Sequence, residues 1–146
     1  LSEYITKLEQ GLLMRKEEIE RLKAEQQKEN ERAEKVNAAN AAVNSRNPAR
    51  RIQGARELAR YGGAGAVDTL IYLMQADDSY DVRIAAAKAL GSLGRAARKA
   101  IPNLDGLLAQ PPYQAPIQAT EEQLNNEMKD GDYRKAMREA LNRIRG

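Results

Sequence analysis

Acidic residues stand side by side at three points of the sequence, where a pair of carboxylates could act as general acid and base. The pairs are Glu17-Glu18, Asp77-Asp78 and Glu121-Glu122. Neighbouring residues of a helix point to different sides of it, so the carboxylates of a pair do not converge on one substrate. Asp77 and Asp78 also precede a helical pattern, where the helix dipole favours negative charge. The pairs therefore indicate solvated faces and helix starts rather than an active site.

The chain has no histidine and no cysteine. Histidine is the commonest general base and transition-metal ligand, and cysteine supplies thiol nucleophiles, metal thiolates and disulfides. No nucleophile and base stand at a suitable spacing either. The sequence thus predicts a protein that is not an enzyme and that uses no metal and no cofactor. The lack of cysteine suits the cytoplasm and the bacterial periplasm equally, so localisation stays open.

The chain begins with Leu1 rather than Met, so we expect that the native N-terminus is missing. No run of residues is apolar enough to span a bilayer. A secretory segment that has been removed would remain compatible with this sequence.

Residues 77–108 contain two short helical patterns, which organise the chain. The first pattern is expected to end at Gly94. Its residues on one apolar face are Val82, Ala86, Leu90 and Leu93. The second presents another: Ala97, Ile101, Leu104 and Leu108. Pro102 lacks a backbone donor and should bend or restart this second helix.

A helix pair of this size cannot bury its apolar face alone and needs a copy as neighbour. Residues 48–62 align with residues 80–94, so that Arg51 matches Arg83 and Gly62 matches Gly94. A partial third copy follows in residues 132–145, where Arg134 stands at the position of Arg83. Two complete pairs are few for a solenoid. We therefore expect either a cap on the exposed end or further repeats after the last residue.

The segment Asp-Val-Arg-Ile-Ala-Ala-Ala-Lys-Ala-Leu-Gly-Ser-Leu-Gly, followed by Ala-Ile-Pro-Asn-Leu, resembles a HEAT repeat of the bacterial phycobilisome-lyase-like kind. The resemblance covers residues 47–109 and, more sparsely, 132–145. It implies stacked antiparallel helix pairs whose second helices line a concave, protein-binding side. It also implies an Asp–Arg ladder between repeats, mapped onto Asp77 and Arg83. Ser45 and Met128 stand at the equivalent acid positions, so we expect this ladder to be incomplete.

Residues 1–45 hold apolar residues in a seven-residue rhythm, with polar interruptions such as Arg15 and Gln26. β-Branched residues at position a with Leu at position d favour a parallel two-stranded coiled coil. The predicted self-association residues are Ile5, Leu8, Leu12, Ile19 and Leu22. The alternative is a long solvated helix that packs this stripe on something else.

Asn47-Pro48 predicts a helix start and a domain boundary. We therefore predict an all-α protein: a long helix or coiled coil in residues 1–45, then a short HEAT-type α-solenoid in residues 47–146. A polar insertion is expected at about 110–131. It contains a helix start with capping-box spacing at Thr120, and Gly131 is expected to end that helix before Asp132 caps the last one.

The second helix of the first pair has an inward apolar face and an opposite polar face. With one residue of the next repeat, the polar face gives the predicted partner-binding surface: Asp68, Thr69, Tyr72, Gln75 and Asn103. Tyrosine is a common interface anchor, so Tyr72 is the expected centre of this surface. The alternative is that Tyr72 simply lies at the surface.

The net charge is +3, and the excess of basic residues falls within residues 46–109. A basic solenoid surface could bind the phosphates of a nucleic acid. The chain has no Trp and no Phe on which bases could stack, however. Protein–protein interaction or scaffolding is therefore the first hypothesis and nucleic-acid binding the alternative. An enzyme of the lyase or base-repair kind found on related solenoids is disfavoured by the missing His, Cys and Trp.

Overall fold

The computed structural model describes residues 1–146, and all of its regular structure is helical. Six α-helices follow one another: α1 (Ser2–Val43), α2 (Pro48–Glu57), α3 (Val67–Ala76), α4 (Tyr80–Leu93), α5 (Ile101–Ala109) and α6 (Glu121–Arg145). The chain divides into two compact units, Leu1–Glu34 and Lys35–Gly146. The predicted all-α class, with a long N-terminal helix before a short solenoid, is confirmed. None of the helices has both the length and the apolar character that crossing a bilayer requires.

The first unit, Leu1–Glu34, is a single stretch of α1 without a buried residue. Ion pairs along the helix stabilise it locally. Arg21 pairs with Glu18 and, at 2.7 Å, with Glu25, and Arg32 pairs with Glu29 at 2.6 Å. Exposed pairs at these spacings stabilise a helix only weakly, because water and salt screen them. The helix therefore depends on local pairing, not on a core of its own.

Side-chain caps begin the helices of the second unit where the sequence predicts them. The Asn47 side chain accepts a hydrogen bond from the backbone N–H of Ala49 at 2.9 Å, with Pro48 in the first turn of α2. At the start of α6, Thr120 Oγ1 accepts from the N–H of Gln123, whose side chain accepts from the N–H of Thr120. The predicted helix start at Asn47 and the predicted capping box are both confirmed.

The turns within the helix pairs also follow the predicted signals. Helix α4 ends at Gly94, which has a φ of 57°, a left-handed conformation that favours glycine. A 3₁₀ segment, Gly94–Ala100, then leads to α5, and Pro102 lies in the first turn of that helix. Proline needs no N–H partner there. The prediction that Pro102 restarts the helix is confirmed.

The core of the second unit centres on α4, which packs against α2, α3 and α6. The helix pairs α2–α3 and α4–α5 are thus neighbours, and α6 takes the next position. The largest fully buried side chains come from the turn after α2 and from α3, α4, α5 and α6: Leu58, Leu70, Met74, Val82, Leu90, Leu104, Met137 and Ile144. Small residues let the helices approach closely. A Cβ added at Gly91 would lie 3.0 Å from the Cα of Ala140, so α4 and α6 meet almost backbone to backbone.

The last turns of α1 belong to the core of the second unit. Ala39 and Val43 are buried, and a Cβ added at Gly54 would lie 2.9 Å from the carbonyl oxygen of Ala39. The compact unit therefore begins inside α1, at Lys35, whereas the sequence places the division after residue 45. Small buried residues produce only a weak apolar periodicity, which is why the pattern did not reveal this contact.

The prediction that Gly131 ends a helix is wrong, because α6 runs unbroken from Glu121 to Arg145. The predicted polar insertion consists instead of an irregular segment, residues 110–120, which we call the crossing, and of the first turns of α6. Glycine inside a helix costs about 1 kcal/mol relative to alanine. Burial of Tyr133, Met137 and Ile144 on the following turns offsets that cost.

Candidate interaction site

An ion pair joins the two complete repeats. Arg51 Nε and Nη2 donate to the two carboxylate oxygens of Asp77 at 3.0 and 3.1 Å. The side chains are only 12% and 8% exposed, and Arg51 also donates to the backbone carbonyls of Ser45 and Arg46. The resemblance implied an Asp–Arg ladder between neighbouring repeats, mapped onto Asp77 and Arg83. The structure shows an inter-repeat pair of this kind, in which the partner of Asp77 is Arg51 of the preceding repeat.

Arg83 occupies in the second repeat the position that Arg51 has in the first. Its guanidinium carbon lies 4.0 Å from the ring centre of Tyr80 and 5.4 Å from that of Tyr133. Its Nε is buried without a hydrogen-bond partner. Arg83 lines a cleft of about 340 Å³ that α3, α4, α5, the crossing and α6 form together: Gln75, Tyr80, Arg83, Leu107, Gln110, Pro111, Tyr113, Asp130, Tyr133, Arg134 and Met137.

Asp130 is the buried acid of this cleft and is held by three donors. Its oxygens accept from Tyr80 Oη at 3.3 Å, from the N–H of Tyr113 at 3.0 Å and from Arg134 Nε at 3.1 Å. Arg134 also donates to the carbonyl of Gln110 at 2.7 Å. These bonds fix the crossing segment to α6. Sequence reasoning missed Asp130, although it stands only two residues after Met128, which occupies the equivalent of the Asp77 position.

The two cleft tyrosines are neutral donors rather than bases. Burial raises the pKa of Tyr133 to about 12, and its hydroxyl donates to the carbonyl of Met74. Burial, followed by the negative charge of Asp130, also raises the pKa of Tyr80. The rings meet edge to face, with centres 6.1 Å apart. The cleft therefore combines charged side chains with aromatic rings that already contact each other and Arg83.

The predicted partner-binding residues lie together on α3 and α5. Tyr72 is 66% exposed. On either side of it, side chains bridge the repeats: Lys99 pairs with Asp68 at 2.8 Å, and Asn103 Nδ2 donates to Gln75 Oε1 at 3.1 Å. Thr69 is half-buried beside them. The structure thus brings the five residues onto one surface, and whether this surface binds a partner stays a prediction.

The predicted self-association residues lie in the first unit and are all exposed. Ile5, Leu8, Leu12, Ile19 and Leu22 are between 47% and 64% exposed. Leu13 and Met14 are exposed as well, although they fall outside the seven-residue stripe. The chain itself therefore covers none of this apolar face, which leaves both a second copy and another partner open as its occupant.

Several of the basic residues that suggested nucleic-acid binding are engaged within the chain. Arg51 is buried in its pair with Asp77, Lys99 pairs with Asp68, and Arg60 lies 5.2 Å from the ring centre of Tyr61. No group of three or more acidic side chains is placed to hold a metal ion.

Comparison with known proteins gives one match. A sequence model of the family described as HEAT repeats matches residues 37–125, which covers more than half of the chain. The match begins within α1, as the second compact unit does. No curated protein and no solved structure matches the chain. Taken with the stacked helix pairs and the inter-repeat ion pair, the match shows that this chain belongs to the HEAT-repeat family.

Proposed function

We propose that this protein is a non-enzymatic interaction or scaffolding module that self-associates through its N-terminal helix and binds a protein partner on its repeats. HEAT repeats are commonly protein-interaction modules, which is compatible with this role. The observation that carries the proposal is the apolar stripe of the first unit, which has no covering within the chain. In the same proposal, residues 1–25 serve self-association and the solenoid of residues 47–146 serves partner binding.

A second copy of the same helix is the proposed occupant of the stripe. The a and d residues lie on one face of a helix that continues for 42 residues. Ile at position a with Leu at position d favours two parallel strands. In that arrangement Glu18 of one copy faces Lys23 of the other, which adds one complementary charge pair. The residue types at positions a and d, together with this charge pair, thus support a parallel dimer over packing on an unrelated apolar surface.

Sedimentation of matched variants tests self-association. Leu12→Asp places a charge in the stripe, and we expect it to convert a dimer to a monomer at high micromolar concentration. Leu13→Asp introduces the same charge one residue later, outside the stripe, and should leave the dimer intact. A wild-type chain that sediments as a monomer at that concentration would remove this part of the proposal.

The surface around Tyr72 is the proposed binding site for the partner. Its support is an exposed aromatic ring on a helix from which two bridges reach the next repeat, Lys99–Asp68 and Asn103–Gln75. An aromatic anchor within a polar rim is typical of protein interfaces. We expect Tyr72→Ala to weaken binding of a captured partner by at least about tenfold, a hot-spot effect. Ile117→Ala truncates a fully exposed apolar residue between α5 and α6, away from this surface, and is the control that should not weaken binding.

Nucleic-acid binding is the result that would replace this proposal. The pairing of Arg51 and Lys99 with acids leaves fewer cations for phosphates. Generic DNA that binds at low salt and dissociates steeply as salt rises would favour the alternative. The finer likeness to phycobilisome-lyase-like repeats remains a proposal as well, and the Asp77–Arg51 pair supports it.

A further inference from the structure

Arg51 and Arg83 occupy equivalent positions in consecutive repeats, but only Arg51 has a carboxylate. Asp77 accepts from two nitrogens of Arg51, in the bidentate geometry typical of arginine and carboxylate. None of the ion pairs of the chain includes Arg83, and its Nε is buried without a hydrogen-bond partner. Arg83 is half-buried, and a guanidinium that is taken partly out of water without a counter-charge is costly. The second repeat therefore favours an anion brought to Arg83 from outside the chain.

The acid nearest in the cleft, Asp130, does not serve as that partner. It already accepts hydrogen bonds from Tyr80, Tyr113 and Arg134. The cleft accordingly holds two cations, Arg83 and Arg134, against one anion. One further negative charge would balance it, whereas a dianion would be repelled by Asp130.

The size and the walls of the cleft limit what can accompany that charge. A volume of about 340 Å³ is at the lower end for ligand pockets. Leu107, Pro111 and Met137 supply apolar surface beside the tyrosine rings. The space suits a carboxylate attached to a short apolar or aliphatic group.

We infer that this cleft binds a carboxylate group of a peptide through the guanidinium of Arg83. The carboxylate is either the C-terminus of a chain or an acidic side chain. This inference rests on the proposed function in one respect: the proposed protein partner is the molecule that presents the carboxylate. The cleft lies wholly within Lys35–Gly146 and contains neither Tyr72 nor any residue of the self-association stripe.

Titration of the whole protein with small carboxylates tests the inference by NMR. The readout is the Nε–H signal of Arg83, which is assigned by its absence from the spectrum of Arg83→Lys. We expect N-acetyl-leucine or the α-amide of N-acetyl-glutamic acid to shift this signal saturably, and which of the two binds identifies a terminal or a side-chain carboxylate. N-acetyl-leucinamide, which has no carboxylate, should shift nothing. The inference would be overturned if neither carboxylate shifts the signal or if N-acetyl-leucinamide shifts it equally. Tighter binding of inorganic phosphate than of the carboxylates would also overturn it.

Two substitutions separate a binding role of Arg83 from a structural one. Because Arg83→Lys lacks the Nε–H signal, binding to the variants is followed through the backbone N–H of Tyr113, which lines the cleft. The substitution keeps the charge but loses the bidentate fork, so we expect binding of the effective carboxylate to weaken about tenfold or more. Arg98→Gln removes an exposed arginine outside the cleft and should leave binding unchanged. Undiminished binding in folded Arg83→Lys would contradict the inference. A monomeric wild type, or partner binding that is indifferent to Tyr72→Ala, would instead count against the proposed function alone.

Discussion

At the scale of single residues, Tyr133 links the stability of the repeats to pH. Its ring is buried against Tyr80, and its hydroxyl donates to the carbonyl of Met74 at the end of α3. Burial disfavours the phenolate, so the pKa of Tyr133 rises from 10.0 to about 12. The same residue therefore joins α6 to α3 and makes that junction sensitive to alkali.

We predict that Tyr133 destabilises the protein selectively at alkaline pH. The unfolded chain releases the phenol proton at lower pH than the folded chain does. The stabilising effect is therefore complete below pH 10 and is lost as the pH rises towards 12, by about 2–3 kcal/mol. Tyr133→Phe lacks this loss but costs about 1 kcal/mol at neutral pH, because the Met74 carbonyl loses its donor.

Urea unfolding at a series of pH values measures this effect. The advantage of wild type over Tyr133→Phe should shrink above pH 10 and reverse before pH 12. Tyr72→Phe changes the same atoms on an exposed ring and is the matched control. A difference between wild type and Tyr133→Phe that stays constant with pH would show that burial does not shift this phenol.

The buried pair of Arg51 and Asp77 gives a second prediction at this scale. Asp77→Asn leaves a guanidinium that is 12% exposed with only the carboxylate of Asp78, which is 93% exposed, as its charge partner. We expect a loss of about 1–3 kcal/mol, moderated because Arg51 still reaches Asp78 at 3.1 Å and two backbone carbonyls. Asp68→Asn disrupts a pair whose side chains are 69% and 73% exposed and should cost less than about 1 kcal/mol. Equal losses in urea unfolding would contradict the assignment of Arg51–Asp77 as the inter-repeat bond.

At the scale of elements, the contact of α4 with α6 requires Gly91. An added Cβ would lie 3.0 Å from the Cα and 3.2 Å from the Cβ of Ala140, so one helix must move. We predict that Gly91→Ala destabilises the protein by about 1–3 kcal/mol, despite the better helix propensity of alanine. Gly131→Ala, within α6, has nothing within 4 Å of the new Cβ and should stabilise by about 0.5–1 kcal/mol.

Thermal and urea unfolding measure the stability of the two glycine variants. We expect the same Gly→Ala substitution to change the free energy of unfolding with opposite signs at the two positions. The result for Gly131 also tests whether α6 is continuous. A glycine that ended the helix in a left-handed conformation would be destabilised by alanine. Loss of stability in Gly131→Ala would therefore favour the interrupted helix that the sequence alone suggested.

The elements differ in how far the sequence predicts them, for physical reasons. Helix starts at Asn47 and Thr120 depend on atoms within three residues, so their spacing in the sequence is sufficient. Whether the helix continues through Gly131 depends instead on the burial of side chains in the turns that follow, which local helix propensity does not include. The cleft is harder still, because Asp130 meets Tyr80 across 50 residues and only the packing of α6 on α4 brings them together.

At the scale of the whole molecule, the position where the repeats begin decides which part of the chain can be removed. Leu1–Glu34 contributes no buried residue, whereas Ala39 and Val43 are part of the core and Lys35 Nζ donates to Tyr61 Oη at 3.1 Å. The first unit can thus be deleted without exposing the core. The end of α1 cannot.

We predict that residues 35–146 unfold in urea with the stability of the full chain, to within about 1 kcal/mol. Residues 47–146 should lose about 2–4 kcal/mol, because Ala39 and Val43 leave an apolar surface of α2 uncovered next to Gly54. Both fragments should sediment as monomers, since both lack the stripe at 5–22. Equal stability of the two fragments would return the boundary to Asn47, and a dimer of the 35–146 fragment would place self-association on the repeats instead of the N-terminal helix.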